Sequence, residues 1–429
     1  MSFSYQIIEE LYFTNRNFCS DDYDKVLAQI LGYLPGAKVH RYTSTEALNG
    51  WEIHPKWNLK SASIRKDGEL IFDGTAHPLN VIGLSAPFSG KIIGQDLKKH
   101  LHYKTISPLE KEAIPFHFRQ FYQPWNRDWG FCVTMSFYES IADKDEYTVE
   151  IATEESEGYL DILEFDIKGQ SELTFCFVAH LDHPGMANDD LAGCAVGIEF
   201  FKKLAETNTK YSYKLLILQE IIGSVYYLEN LEPSVKRNLF SGMFLEMLGS
   251  DGPLKLQRSF SDNLIDPIAE TLLLSQSSGD DIQKVYDFRS LIGNDEIVFE
   301  SYDIPMCSLS RFPYPQYHTS LDNMDIISAE SLDESVVFLQ NLIEQIEEVT
   351  VINKQIKGLF ALSNPKYNLY VDVATAGEHA VGLRRLMDFV FFMRKPYSLK
   401  ELSKRFELPL SVTLDYLKKC EAKGLVTIE

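Results

Sequence analysis

Long apolar runs are missing from this chain, and so is any excess of positive charge. No stretch approaches the ~18 consecutive apolar residues of a membrane-spanning helix. Lys and Arg together number 41 against 62 Asp and Glu, which gives a net charge of −21. Because phosphate backbones and anionic lipids attract cationic proteins, we expect neither a nucleic-acid platform nor a protein that binds membranes.

Cysteine is scarce and scattered. The six cysteines include no Cys-x-x-Cys pair, and Cys176 and Cys194 lie in apolar segments that are typical of buried free thiols. The N-terminal segment, MSFSYQIIEELYF, has acidic residues within its apolar pattern and no basic start, so it does not resemble a signal peptide. These features predict a reduced, cytoplasmic protein.

What the chain does have is enough apolar sequence for two or three domains: 429 residues, 45% of them hydrophobic. Residues 57–170 hold short β-prone runs separated by turn residues, which predicts an inserted all-β domain. In the flanking residues 1–56 and 171–355, strand-like and helix-like segments alternate from Leu173 onward. That alternation predicts an α/β domain whose mostly parallel sheet is flanked by helices.

Residues 376–429 predict a third unit, a winged-helix-like domain with helix-turn-helix spacing and a short final strand. It carries ten Lys and Arg against seven Asp and Glu. The basic residues of its last predicted helix come near the end of that helix, whereas recognition helices usually read DNA from their first turns. A DNA-binding or regulatory protein stays an alternative, but we expect this unit to serve packing, homo-oligomerisation or substrate access.

Polar side chains follow the buried segment FCFVAHLD. His180 and Asp182 end it, and Asp189 comes seven residues later in a small-residue turn before a predicted helix. His180 is a candidate metal ligand, with Asp182 holding its ring in one tautomer, although a core histidine fits the same pattern. Asp189 is a candidate ligand that can bridge two cations. One of Asn188, Asp189 and Asp190 is expected to cap the helix instead.

Further acids and a second histidine follow later strands. Glu220 ends the strand-like run YKLLILQE and is a candidate general base; a surface glutamate is the alternative. Glu246 lies in the apolar run FLEMLG, where a charge requires either a metal or a buried arginine as partner. His318 stands in a polar loop after another predicted strand. Together, His180, Asp189, Glu246 and His318, with Glu220 as base, predict a hydrolytic zinc site.

Four residues are candidates for contact with substrate. Arg311 precedes the His318 loop and can pair with a carboxylate, although a structural salt bridge is an equal alternative. Tyr317 adjoins His318. Trp125 and Arg127 lie in the predicted insertion and can line the cleft if it covers the site, whereas core packing is the alternative for this aromatic segment.

These motifs, in this order, resemble the zinc aminopeptidase superfamily that includes bacterial leucyl aminopeptidase, glutamate carboxypeptidase and glutaminyl cyclase. The resemblance covers residues 1–55 and 170–350. The segment from Trp125 to Cys132 is similar to a bacterial subfamily labelled polysaccharide-biosynthesis proteins with an aminopeptidase-like domain, which carry a β insertion and a C-terminal winged helix. The matching motifs are His180-x-Asp182, Asn188-Asp189-x-x-Ala-Gly193, Glu220 before Gly223, Glu246, Gly293-Asn-Asp-Glu296 and Tyr317-His318-Thr319.

One position departs from the superfamily pattern. The superfamily has two adjacent glutamates, the first as base and the second as a ligand of a second zinc; here Glu220 matches the first and Ile221 replaces the second. Either the second metal position is weak or empty, or Glu220 becomes a ligand and the base is lost. We favour Glu220 as base beside one firmly held zinc, bound by His180, Asp189 and Glu246, with Asp189 and His318 offering a partial second position.

The resemblance implies an amide hydrolase. We expect a zinc-dependent aminopeptidase acting on short peptides, because an acidic cleft attracts a free α-amino group. A deacylase or amidohydrolase acting on an amino sugar or a glycoconjugate is the alternative, which the missing second glutamate favours.

Overall fold

The structure is a computed structural model. It describes residues 2–43, 47–104, 111–261, 263–275, 283–374 and 377–429. The predicted start of the third unit at residue 376 lies outside the described residues.

An eight-stranded mixed sheet forms the centre of the main domain. Four of its seven strand pairings are parallel and three are antiparallel, so the sheet is mixed, with a narrow majority of the parallel pairs that the sequence predicts. Its strands, in spatial order, are Lys38–Tyr42, Leu160–Ile167, Ser212–Leu218, Thr174–His180, Leu239–Glu246, Met306–Ser310, Lys255–Gln257 and Val285–Tyr286.

Helices cover both faces of this sheet. Strand Thr174–His180 shows why: Phe175, Phe177 and Ala179 pack into one hydrophobic cluster, and the alternate residues Cys176 and Val178 pack into another. A strand buried on both faces reads as a continuous apolar run, which is how it was recognised. The helices are Phe3–Leu11, Asp21–Tyr33, Gly193–Leu204, Ile222–Asn230, Pro233–Asn238, Ile265–Ser275, Glu296–Ser301 and Ala329–Glu347.

The segment between the first two strands of this sheet forms a second hydrophobic cluster with its own antiparallel sheet. Leu160–Ile167, expected in the insertion, instead pairs within the large sheet, because its first five residues are all buried and need cover on two faces. The four strands of the smaller sheet are Glu69–Asp73, Lys56–Lys66, Glu146–Ser156 and Phe88–Ile93, and Leu101–His102 pairs with Phe131–Cys132. The short helices are Gly94–Leu97, Arg119–Tyr122 and Met135–Ser140.

The C-terminal unit has its own core around three helices and a three-stranded sheet. Ser398 caps the second helix by accepting from the Glu401 amide (3.1 Å). The assignment of this unit to the winged-helix class stays a prediction. Its helices are Ala380–Phe392, Leu399–Arg405 and Leu410–Glu421, and its strands are Val351–Lys354, Tyr397–Ser398 and Val426–Ile428.

The C-terminal unit docks at the amino-terminal edge of the large sheet. The Tyr211 hydroxyl, just before strand Ser212–Leu218, donates to the Val349 carbonyl (2.6 Å), and Ser171 bonds Glu429. This edge lies about 20 Å from the opposite one, the length of a seven-residue strand. The packing role is therefore observed, whereas the placement does not suit the expected role in substrate access.

All six cysteines are buried and free. Within the described ranges, no helix combines the length and the apolar character needed to cross a membrane.

Candidate metal centre

The predicted site residues gather at the carboxyl-terminal edge of the large sheet. His180 is the last residue of its strand and pairs in register with Leu218, two positions before Glu220. Glu246 ends the next parallel strand. Because parallel strands finish at the same edge, residues far apart in sequence meet there.

His180 is fully buried between two aspartates. Its Nδ1 lies 3.7 Å from Asp182 Oδ1, and its Nε2 lies 3.4 Å from Asp189 Oδ1. Burial acts to lower the pKa of His180, but contacts with Asp182 and Asp189 outweigh it and raise that pKa well above the usual value. Asp182 Oδ1 also accepts from the Glu220 amide (2.8 Å), so one carboxylate positions both the ring and the start of the Glu220 turn.

Asp189 lies among three imidazoles. Besides His180, its Oδ1 is 3.3 Å from His183 Nδ1 and its Oδ2 is 3.1 Å from His318 Nε2. Burial would raise the pKa of Asp189, but the nearby histidines hold it well below its usual range. We call His180, Asp182, His183, Asp189 and His318 the histidine–aspartate cluster.

The sequence analysis did not propose His183. In the structure His183 is 3% exposed and belongs to both groups whose ligand atoms lie within 4.8 Å of one another. A second histidine three residues after His180 was the available signal. Those groups, found among the described residues, are His180, Asp182 and His183, and His183, Asp189 and His318.

The helix cap that competes with ligation is Asp190. Its Oδ1 accepts from the amides of Gly193 (3.0 Å) and Met247 (2.8 Å), while Asn188 Oδ1 accepts from the Gly249 amide (2.7 Å). The expectation that one of the three polar residues caps the helix therefore fits Asp190, and Asp189 is left facing the histidines.

Asp322 holds the loop that presents Asp189. Its carboxylate accepts from the amides of Asn188 (2.6 Å) and Asp189 (3.2 Å) and from the Tyr314 hydroxyl (2.5 Å). Burial raises the pKa of Asp322 to about 7. Asp322 thus acts through the backbone on the orientation of Asp189.

Glu246 is buried beside the histidine–aspartate cluster but in neither of the two groups above. Asn294 donates to its Oε1, while Oε2 has no hydrogen-bond partner within the part of the chain that the structure describes. Burial and the charge of Glu296 raise the pKa of Glu246 well above its usual value. Its role as a ligand stays a prediction.

Glu220 lies at the mouth of the site, with 14% of its side chain exposed. The Tyr122 hydroxyl, from the insertion, donates to its Oε2 (2.6 Å), and His183 Nε2 lies 3.7 Å from the same oxygen. The candidate base is thus held by a residue that the sequence analysis did not propose.

Residues 114–122 of the insertion cover the site. Phe116 packs edge-on against the rings of His183 (5.0 Å) and His318 (5.3 Å), and its amide donates to the His318 carbonyl (3.0 Å). Phe118 also packs against His318, at 5.3 Å. The insertion therefore reaches the site, as expected, but through a segment other than the one predicted.

Trp125 and Arg127 were the predicted lining; the role of Trp125 stays a prediction, whereas Arg127 makes its contacts within the insertion. Trp125 is 66% exposed, and the Arg127 guanidinium pairs with Glu155 and donates to the Leu84 carbonyl (2.8 Å). These contacts tie Arg127 to the insertion itself, so it is not free to bind substrate.

Arg311 is likewise turned into the fold. It is 2% exposed, and its three nitrogens donate to the carbonyls of Leu248 (3.1 Å), Gly252 (2.6 Å) and Ser331 (2.9 Å) and to Glu334 (2.7 Å). This is the structural alternative named for it, and the substrate role is corrected. Tyr317, by contrast, stacks on His318 at 3.9 Å and stays a candidate for substrate contact.

The donors at this edge fit a zinc ion. Eight buried polar atoms here have no hydrogen-bond partner among the described residues, and an atom so buried usually costs about 1–3 kcal/mol. Imidazole nitrogens and carboxylate oxygens are the ligands of catalytic zinc, and a cation would satisfy several at once. The atoms are Nδ1 and Nε2 of His180, Oδ2 of Asp182, Nδ1 of His183, Oδ2 of Asp189, Oε2 of Glu246, Oδ2 of Asp295 and Nε2 of His318.

Comparisons with known proteins agree with this architecture. A family model described as a domain of unknown function, DUF4910, matches residues 5–349. A Clostridium acetobutylicum protein, provisionally named a polysaccharide biosynthesis protein with an aminopeptidase-like domain, is 30% identical over 349 residues, which cover 80% of this chain and 77% of that protein. This relative confirms the resemblance inferred from the motifs.

Solved structures are similar as well, and two of them illustrate the match. One, a protein of Clostridium acetobutylicum provisionally named a peptidase, superposes with a TM-score of 0.73 at 25% identity and covers 99% of this chain and 96% of that one. The zinc aminopeptidase of Bacillus subtilis superposes with a TM-score of 0.59 at 14% identity, over 80% of this chain and 94% of that one. At that identity the second match shows the fold.

Proposed function

This chain belongs to the DUF4910 family, which is described as a domain of unknown function, and from the geometry of its own site we propose that it is a zinc-dependent hydrolase. It cleaves an amide bond, as an aminopeptidase on short peptides. The observation that carries this proposal is the pair of groups, His180, Asp182 and His183 and His183, Asp189 and His318, whose possible ligand atoms lie within 4.8 Å of one another beside a partly exposed glutamate. The fold shared with a zinc aminopeptidase supports it.

His180, Asp189 and Glu246 would hold the ion, with Asp182 fixing the His180 ring from behind. Bound zinc supplies Lewis acidity, which lowers the pKa of water and polarises an amide carbonyl. Glu220 accepts at its carboxylate the proton of the water whose oxygen bonds to the amide carbon, and delivers it to the amine nitrogen as the C–N bond breaks. The Tyr122 hydroxyl orients that carboxylate, and Phe116 and Phe118 exclude water from the histidine side.

A second class of substrate is compatible with the same site. The name of the Clostridium acetobutylicum relative refers to polysaccharide biosynthesis, which favours a deacylase acting on an amino sugar or glycoconjugate. Both reactions hydrolyse an amide, and both need the same base and metal. They differ in the group that the acidic cleft binds: a free α-amino group in one case and a sugar in the other.

The test combines metal analysis with a substrate panel. Elemental analysis of the purified protein should find zinc, and His180→Ala should lower its content. A panel of aminoacyl-arylamides is then compared with N-acetylated amino sugars. Arylamide cleavage supports the aminopeptidase, and cleavage of the sugars alone supports the deacylase. Absence of zinc in the wild-type protein, or no turnover of either class with zinc supplied, would reject the proposal.

The C-terminal unit is expected to act through packing or homo-oligomerisation, as a winged-helix-like domain. Its last helix, Leu410–Glu421, ends in Lys418 and Lys419 and has no acidic residue in its first turn. Salt-dependent retardation of DNA by the full-length protein would support the regulatory alternative instead.

A further inference from the structure

Position 221 supplies no metal ligand in this chain. The superfamily pattern has a second metal-binding glutamate there, whereas Ile221 has an apolar side chain that packs at the edge of a hydrophobic cluster. Its backbone has φ 62° and ψ −62°, and its amide donates to Asp295 Oδ1 (3.0 Å). This residue therefore offers no metal ligand, so Asp189 and His318 remain as the two ligands of the second metal position.

His183 lies where a third donor is needed. Its Nδ1 is 3.3 Å from Asp189 Oδ1, close to the ~3.4 Å that separates two ligands of a tetrahedral zinc with bonds of about 2.1 Å. His318 Nε2 is 3.1 Å from the other oxygen of Asp189. The three ligand atoms lie within 4.8 Å of one another, so one cation can contact all of them.

Among the described residues, no hydrogen bond of the His183 side chain accounts for its burial. Its Nδ1 has no hydrogen-bond partner in the described parts of the chain, and the 3.7 Å between its Nε2 and Glu220 is too long for a hydrogen bond. Phe116 covers one edge of the ring at 5.0 Å. This buried nitrogen, without a hydrogen-bond partner among the described residues, faces a carboxylate and a second histidine, the surroundings that suit a metal ligand.

The loop that carries His183 is fixed from the N-terminal segment. Arg16, fully buried, donates to the carbonyls of Leu181 (2.9 Å) and Met186 (2.5 Å), and the Gly185 amide donates to the Thr14 carbonyl (3.0 Å). Both ends of the loop are therefore anchored through its backbone. Preorganised ligands of this kind are what a firm metal position requires.

We propose that His183 is a metal ligand, which with Asp189 and His318 forms a second zinc position in place of the glutamate that Ile221 replaces. This rests on the proposed zinc-dependent function. It assigns His183 a role that the sequence analysis did not give it and makes the centre a two-metal site.

The test counts zinc ions bound by the full-length protein. Metal-free protein is titrated with Zn²⁺ against a chromophoric chelator, and we expect two equivalents for the wild type. His183→Ala should retain one equivalent and weaken the other by more than the 10–100-fold that loss of a supporting partner typically costs. His183→Gln, closer in volume, repeats the measurement, and circular dichroism verifies the fold of each variant.

Two further variants sharpen the result. Ile221→Glu in the His183→Ala background should restore the second equivalent, because it returns a carboxylate to the superfamily position. His100→Ala is the matched control, since His100 stacks on Trp129 within the insertion and should leave both equivalents in place.

The outcomes separate the two proposals. One equivalent in the wild type, unchanged in His183→Ala, overturns the ligand assignment and leaves the hydrolase proposal standing. Loss of both equivalents in a folded His183→Ala protein overturns it as well, since His183 would then belong to the first position. No bound zinc in the wild type overturns both.

Discussion

Two buried charged groups at the same edge of the large sheet differ in how their charges are met. Arg311 is surrounded by acceptors: three carbonyls, a carboxylate and the Ser335 hydroxyl. The histidine–aspartate cluster is also buried, apart from the partly exposed His318, but several of its donors and acceptors have no hydrogen-bond partner among the described residues. A saturated charge stabilises the fold, whereas an unsaturated cluster is explained by a ligand that the protein binds.

Loss of the base should have the largest effect on activity. Glu220→Gln keeps the volume and the hydrogen bond from Tyr122 but removes the proton acceptor, so we expect kcat to fall about 10²–10⁴-fold. Zinc content should not change. Steady-state kinetics with the substrate identified by the panel, together with elemental analysis, measure both. Loss of zinc in this variant would show that Glu220 is a ligand rather than the base.

Replacing Arg311, whose three side-chain nitrogens are all hydrogen-bonded, should lower stability and leave the metal centre unchanged. Arg311→Met leaves the acceptors at the carbonyls of Leu248, Gly252 and Ser331 unpaired, and we expect the free energy of unfolding to fall by on the order of 3 kcal/mol. Urea denaturation measures this. The zinc content of the folded protein should stay that of the wild type, and its loss would place Arg311 in the metal centre after all.

The sequence was informative where an apolar run ends in a polar residue. His180 and Glu246 end buried strands, and Glu220 follows the strand Ser212–Leu218 by two residues, so the common sheet edge was predictable from the periodicity alone. The same signal could not separate Arg311 from the residues that gather in the histidine–aspartate cluster. Its acceptors are mostly backbone carbonyls, whose positions depend on loops that the side-chain pattern does not reveal.

Contacts between distant segments explain the other differences. His183 is turned into the site by a loop that Arg16 anchors from 165 positions away in sequence. The cover over His318 depends on a pairing of Pro115 with Thr319, which no local pattern announces. The strand Leu160–Ile167 was misplaced because its apolar run resembles any strand, and only its partners decide which sheet it joins.

The contribution of the insertion to catalysis is tested by removing the hydroxyl oxygen of Tyr122. Tyr122→Phe deletes the hydrogen bond to Glu220 Oε2 but preserves the ring, and we expect kcat to fall about 10-fold, as for loss of a hydrogen bond to a charged group. KM and zinc content should stay unchanged, because the hydroxyl orients the base and contacts neither ion nor substrate in this proposal. A fall in zinc content instead would give Tyr122 a structural role in the metal centre.

The smallest effect is expected for Trp125, which follows Tyr122 by three residues. Trp125 is 66% exposed, so Trp125→Ala should change the free energy of unfolding by no more than about 0.5 kcal/mol, as for most surface substitutions. Since Phe116 and Phe118, rather than Trp125, pack on His318, KM and kcat should match those of the wild type. Parallel kinetics on Tyr122→Phe and Trp125→Ala therefore decide which part of the insertion serves the site. A raised KM for Trp125→Ala alone would mean that substrate extends beyond the aromatic cover and returns Trp125 to the lining first predicted for it.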